Sequence, residues 1–145
     1  MLIITHTVET TASLSAIWKT WEDVSSWNTW DPCIESSTIN GPFQAGTTGT
    51  LKLKKGSTLH TRLTQVEPMK MFVDEAKLPL TRIIVTHSLT KSGGKTCVTH
   101  KIEMKGLLSF LFAFLVGRDM KKKLPEEMMT MVRNAELLEK SKHSR

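Results

Sequence analysis

Two histidines carry the clearest chemical signal in the chain, His87 and His100. Between them lies Gly93-Gly94, a step that favours a tight β-hairpin turn. With those glycines as the turn, His87 and His100 stand directly opposite each other on neighbouring strands, with Cβ atoms about 4.5–5.5 Å apart. The flanking residues support this register. One face carries Ile83, Val85, His87 and Leu89 against Val98, His100, Ile102 and Met104. The other carries Thr86, Ser88 and Thr90 against Thr99, Lys101, Glu103 and Lys105. A slip of one residue would mix the two faces.

Two imidazoles on an inward face need partners, and burial and mutual repulsion both favour their neutral forms. Three readings stay open. The pair forms a polar spot that bonds internally or to a ligand, or each ring is satisfied by neighbouring side chains, or the pair binds a metal. The last needs a third ligand at close range, and the sequence names none. His6 alternates with Ile4 and Val8 and is a further inward candidate, whereas His60 points outward and His143 lies in the tail. Asp31 could cap a turn or orient a ligand. Arg62 and Arg82 sit on strands, where either could pair with a carboxylate. No nucleophile elbow, phosphate-binding loop or dinucleotide fingerprint is present, so no cofactor is expected. Tyrosine is absent, which excludes tyrosine-based acid catalysis.

The elements that position these residues follow from punctuation and periodicity. Residues 2–10 read as a strand. Ser13 caps a helix that places Ile17, Trp18 and Trp21 on one face, and a second short helical turn follows at Asp23–Trp27. Pro32 stops any continuation. Six short strands come next, near 34–40, 47–54, 58–67, 70–77, 80–91 and 95–105, with turn signals such as Gly41-Pro42, Lys55-Gly56 and Pro79 between them. A helical stretch runs from Leu107 to Glu139, with an apolar stripe at Leu124, Met128, Met131, Ala135 and Leu138. Pro125 predicts a break or kink near 118–125. The fold class is therefore α+β: a seven-stranded antiparallel sheet with the helices grouped on one face, two of them short and following the first strand, one long and C-terminal. The four tryptophans, 18, 21, 27 and 30, anchor the short helices to the sheet or wall a cavity.

With 145 residues and no linker or repeat, the chain is read as one domain, 1–145. Cys33 and Cys97 fit no zinc spacing and are read as reduced thiols. No signal peptide is seen, so a cytoplasmic location is expected. The apolar run from Gly106 to Gly117 is too short to span a bilayer. The net charge is +6, with Arg118, Lys121, Lys122 and Lys123 directly after that run and Lys140, Lys142 and Arg145 beyond. No nucleic-acid motif accompanies these charges, so no nucleic-acid partner is expected. A solvated helix face explains them, and transient membrane contact through 106–123 is the sharper reading.

The order of elements resembles the helix-grip fold of the START-like (SRPBCC) superfamily. Within it the sequence is most similar to the polyketide cyclase/dehydrase-like branch. The residues that carry the similarity are Ala16-Ile17-Trp18, Trp27-Asn28-Thr29-Trp30-Asp31-Pro32, Gly41-Pro42-Phe43, Gly46, Gly49, Leu78-Pro79-Leu80, Thr86-His87, Thr96, Thr99-His100 and Gly106. They extend over nearly the whole chain. The resemblance implies that the sheet curves around the long C-terminal helix with an apolar cavity between them, and it carries over no catalytic set.

The expected function is binding or carriage of a small hydrophobic, lipid- or polyketide-like ligand in that cavity. The ligand-facing residues are expected to be His87, His100, Val85, Ile102, Trp30, Leu111 and Leu115. The alternative is a cyclase- or dehydratase-type enzyme in which His87 or His100 serves as the general acid or base.

Overall fold

A computed structural model describes residues 2–54 and 58–143. The expected Lys55-Gly56 turn and Arg145 lie outside them. Seven strands, β1 (Leu2–Thr10), β2 (Ile34–Ile39), β3 (Thr48–Leu53), β4 (Thr58–Glu67), β5 (Met71–Leu78), β6 (Thr81–Ser92) and β7 (Lys95–Lys105), form one sheet in the order β1-β7-β6-β5-β4-β3-β2. Every neighbouring pair is antiparallel. The sheet curls into a half-barrel around the C-terminal helix. Bulges between Ile34 and Ser36 and between Leu63 and Gln65 contribute to this shape, because an extra residue bends its strand and increases the local twist.

Helix α1 (Leu14–Glu22) starts where the sequence places its cap: the Ala16 N–H donates to Ser13 Oγ at 3.2 Å. The Ser13 N–H and hydroxyl also bond Glu139 Oε2, and the Thr10 hydroxyl donates to Glu136 Oε1 at 2.7 Å. These bonds tie the end of β1 and the start of α1 to the far end of the last helix. The second helical turn is a 3-10 helix, Val24–Thr29.

The C-terminal region differs from its sequence-based expectation. It runs from helix α2 (Ser109–Phe112) through a π-helical turn (Ala113–Gly117) into α3 (Arg118–His143), and Pro125 lies inside α3 with no break. Pro125 leaves the Lys121 carbonyl without its usual donor, but Lys121 is exposed, so water can serve that carbonyl. The irregularity falls two to three turns before Pro125, in the π turn. The apolar stripe Leu124, Met128, Met131 and Ala135 is buried as expected, whereas Leu138 is exposed near the helix end. The stripe meets the inner sheet face, where Ile4, Val8, Phe72, Ala76, Ile83, Leu89, Val98, Ile102 and Met104 are buried. All four tryptophans join this core.

Candidate functional site

The Gly93-Gly94 hairpin forms in the expected register, with both glycines at positive φ and His87 opposite His100. On the other side of β7, His6 stands opposite His100, and on the other side of β6, Phe72 stands opposite His87. One row therefore crosses the sheet as His6, His100, His87 and Phe72. The His87 and His100 ring centroids are 4.5 Å apart, edge to face, and His87 stacks on Phe72 at 3.9 Å. Trp21 covers both imidazoles from α1, with centroids 5.6 Å from His87 and 5.9 Å from His100. Trp27 and Trp30, from the 3-10 helix and the residue after it, lie 6.5 Å from His87 and 6.4 Å from His100 respectively.

His87 is 5% exposed and His100 0%. Their polar partners come mainly from residues that the sequence did not single out. His87 Nε2 lies 2.8 Å from Asp74 Oδ1. A carboxylate only accepts, so Nε2 carries the hydrogen, and in the neutral ring Nδ1 is left with a free lone pair. Among the described residues, that Nδ1 has no partner, nor does either nitrogen of His100, and Trp30 Nε1–H is likewise buried without an acceptor. His100 Nδ1 is 3.9 Å from Glu127 Oε1, beyond hydrogen-bond reach.

The electrostatics follow from burial. Complete burial, reinforced by His87 and His6, holds the His100 imidazole well below its usual 6.5, so it is neutral at pH 7. Burial, helped by the Asp31 and Asp74 carboxylates, pushes Glu127 well above the usual 4.5. Asp31 is also raised by burial, partly offset by the Cys33 N–H that donates to its Oδ1 at 2.9 Å. Asp31 thus serves as a turn cap, the commoner of its two expected roles. Among the described residues, no group of three or more His, Cys, Asp or Glu could hold a metal ion.

The remaining expected site residues separate into two groups. Trp30 and Ile102 are buried beside the pair's face, and Val85 is half-buried against the core. Leu111 and Leu115 are 39% and 60% exposed, which corrects the expectation that they face the interior. The π turn changes the angular phase between these positions and the buried stripe of α3. His60 is exposed as expected, and Arg82 pairs with Glu75 at 3.0 Å. A recess of about 20 Å³, enough for roughly one water, opens beside Asp74. It is lined by Val24, Trp27, Thr38, Leu51, Thr61 and Leu63, among others. Asp74 therefore borders free space on one side and bonds His87 on the other.

Residues 1–136 match the model of a protein family described as polyketide cyclase / dehydrase and lipid transport. Among solved structures, a START superfamily protein from Mycobacterium smegmatis superposes with a TM-score of 0.72 at 15% identity, covering 94% of this chain and 98% of its own. The Zhui aromatase/cyclase from Streptomyces sp. R1128 gives 0.73 at 14% identity, covering 93% of each chain. A protein from Thermus thermophilus gives 0.74 at 11% identity, covering 94% of this chain and 99% of its own. Such identities establish the helix-grip fold and nothing finer. No curated protein sequence matches the chain.

Proposed function

Because the chain belongs to the polyketide cyclase / dehydrase and lipid transport family, we propose that it binds or carries a small, largely apolar ligand that bears an oxygen function. The observation that supports this reading is the set of unpartnered polar atoms within an aromatic interior: His87 Nδ1, both His100 nitrogens and Trp30 Nε1. Leaving a buried polar group unpaired costs about 1–3 kcal/mol. A ligand hydroxyl would relieve several such costs at once, donating to His87 Nδ1 and accepting from Trp30 Nε1–H or His100, whereas a carbonyl would only accept, from Trp30 or His100. The apolar part of the ligand would lie against Trp21, Trp27 and Phe72. Entry past Asp74 requires side chains to move, and Met131, which accepts from Trp21 Nε1 at 2.9 Å, is an adaptable neighbour.

Titration of intrinsic tryptophan fluorescence tests this reading, using aromatic hydrocarbons with and without a phenolic hydroxyl. Saturable quenching that favours the hydroxylated compounds is expected, with Trp30→Phe and His100→Phe reducing the preference. Equal response to both classes, or no saturation, would remove the reading.

A second reading has one specific observation in its favour, the Asp74–His87 contact. A carboxylate that orients an imidazole and leaves the other nitrogen free is the arrangement of a general base. Glu127, whose carboxyl burial raises well above its usual range, would supply the acid. In a dehydration, His87 would remove a proton next to a ligand carbonyl while Glu127 protonated the departing hydroxyl, releasing water. Loss of turnover in both His87→Gln and Glu127→Gln, with ligand affinity retained, would favour this enzyme over a carrier.

A further inference from the structure

The four most exposed large apolar side chains among the described residues are Leu107 at 78%, Phe110 at 72%, Phe114 at 70% and Leu80 at 65%. Three lie in or just before α2 and the π turn. The fourth comes from the β5–β6 turn, and the two segments are joined. The Leu108 N–H donates to the Leu80 carbonyl at 3.3 Å, and a Cβ on Gly106 would sit 2.3 Å from that same oxygen. No side chain larger than hydrogen fits between them, so the turn and the helix start form one apolar end.

Leu80 is the informative member. It follows Pro79 in a two-residue turn and takes φ +50, a conformation that favours glycine and strains a branched side chain. A large apolar side chain held in strain and pointed at solvent gains nothing for folding. Both segments carry exposed cations: Lys77 lies three residues before Leu80 in β5, and Arg118, Lys121 and Lys122 lie in the first turns of α3, directly after the apolar segment. Of the acidic groups on these elements, Glu75 pairs with Arg82 at 3.0 Å and Asp119 with Lys123 at 3.1 Å, and Glu126 is exposed further along α3.

We propose that this end of the molecule, Leu80 together with Leu107, Phe110 and Phe114, is a docking surface for an anionic lipid bilayer. A second copy of the chain would fit less well. A twofold contact places a patch against itself, which would bring Arg118, Lys121 and Lys122 close to their own counterparts. An anionic bilayer accepts the apolar side chains into its interface and neutralises the basic rim, at a strength of about fivefold in affinity per cation. No described helix is long and apolar enough to cross a membrane, so the contact is interfacial. The proposal does not depend on what the interior holds.

The test is flotation of the full chain with phosphatidylcholine vesicles and with mixed phosphatidylcholine–phosphatidylserine vesicles, at low and high salt. Binding is expected only with phosphatidylserine and should fall with salt. The triple charge reversal Arg118→Glu, Lys121→Glu, Lys122→Glu should weaken it at least roughly tenfold. Leu80→Gly should weaken it severalfold while leaving the melting temperature unchanged or higher, because glycine adopts that φ without strain. Phe110→Ser with Phe114→Ser should abolish it. Absence of vesicle binding, equal binding to both vesicle types, or indifference to these variants would each overturn the proposal. So would a concentration-dependent dimer that the same substitutions dissolve in a chain that does not bind vesicles, which would assign the surface to a second copy.

Discussion

Asp74 and His87 sit on adjacent strands, two pairs apart in register and on the same face, and their side chains meet at 2.8 Å on the inner side of the sheet. The bond fixes the hydrogen on Nε2 and so determines what the other nitrogen can do. Asp74→Ala should leave that N–H buried and unpaired and cost about 1–3 kcal/mol, read from urea unfolding. In nitrogen-15 spectra, the neutral His87 ring should carry its hydrogen on Nε2 in the native protein and should lose that fixed tautomer in Asp74→Ala.

His100 and Glu127 should bend the stability profile in opposite senses. His100 is depressed in the folded state, so below its unfolded value of 6.5 the unfolded chain holds the extra proton, and stability falls as pH drops through that region. Glu127 is raised, so its favourable contribution is complete below 4.5 and is lost as pH rises through its folded value; Asp31 acts in the same sense from 3.8. Urea midpoints from mildly acidic to mildly alkaline pH should show His100→Gln with a flatter acid limb. Glu127→Gln should gain stability relative to wild type as pH rises.

Phe72 is fully buried, stacks on His87 and meets Trp21 at 5.2 Å between centroids. Phe72→Ala should cost about 3–5 kcal/mol by chemical denaturation, and Phe72→Leu clearly less, because only the first leaves a large void.

Two glycines are irreplaceable for different reasons. Gly49 in β3 would place a Cβ 2.4 Å from the Thr38 carbonyl oxygen, and Gly106 combines a 2.3 Å approach to the Leu80 oxygen with φ +122. Gly106→Ala should destabilise by more than about 1 kcal/mol, since strain and collision add. Thermal unfolding checks this, with Gly46→Ala as a reference that has the strain (φ +96) without the collision.

The histidine register was legible because two constraints agreed: a period-two apolar pattern on both strands and a Gly-Gly turn between them. The strand boundaries were legible from turn residues for the same reason. Asp74 was not singled out, although it alternates with Phe72 and Ala76 and so had to share their inward face. Set among Lys70, Glu75 and Lys77, it read as one more surface charge. Glu127 was visible in the same oblique way. It is three residues after Leu124 and four before Met131, on the edge of the apolar stripe, but a lone glutamate there is ordinary in a helix facing water. The π turn left no local sign, and Pro125 drew the expected irregularity to itself.

That π turn carries one residue more than an α turn, and each residue of an α-helix advances the direction of its side chain by about 100°. The chain thus holds two azimuths in one rod: the phenylalanines at 110 and 114 look away from the molecule while the methionines at 128 and 131 look into it. Excising a single residue between 113 and 117 would bring both stretches into one phase. The outward aromatic surface would swing toward the sheet edge while the core behind it stayed in place, so the amino-acid count in this one turn decides which way the front of the helix faces.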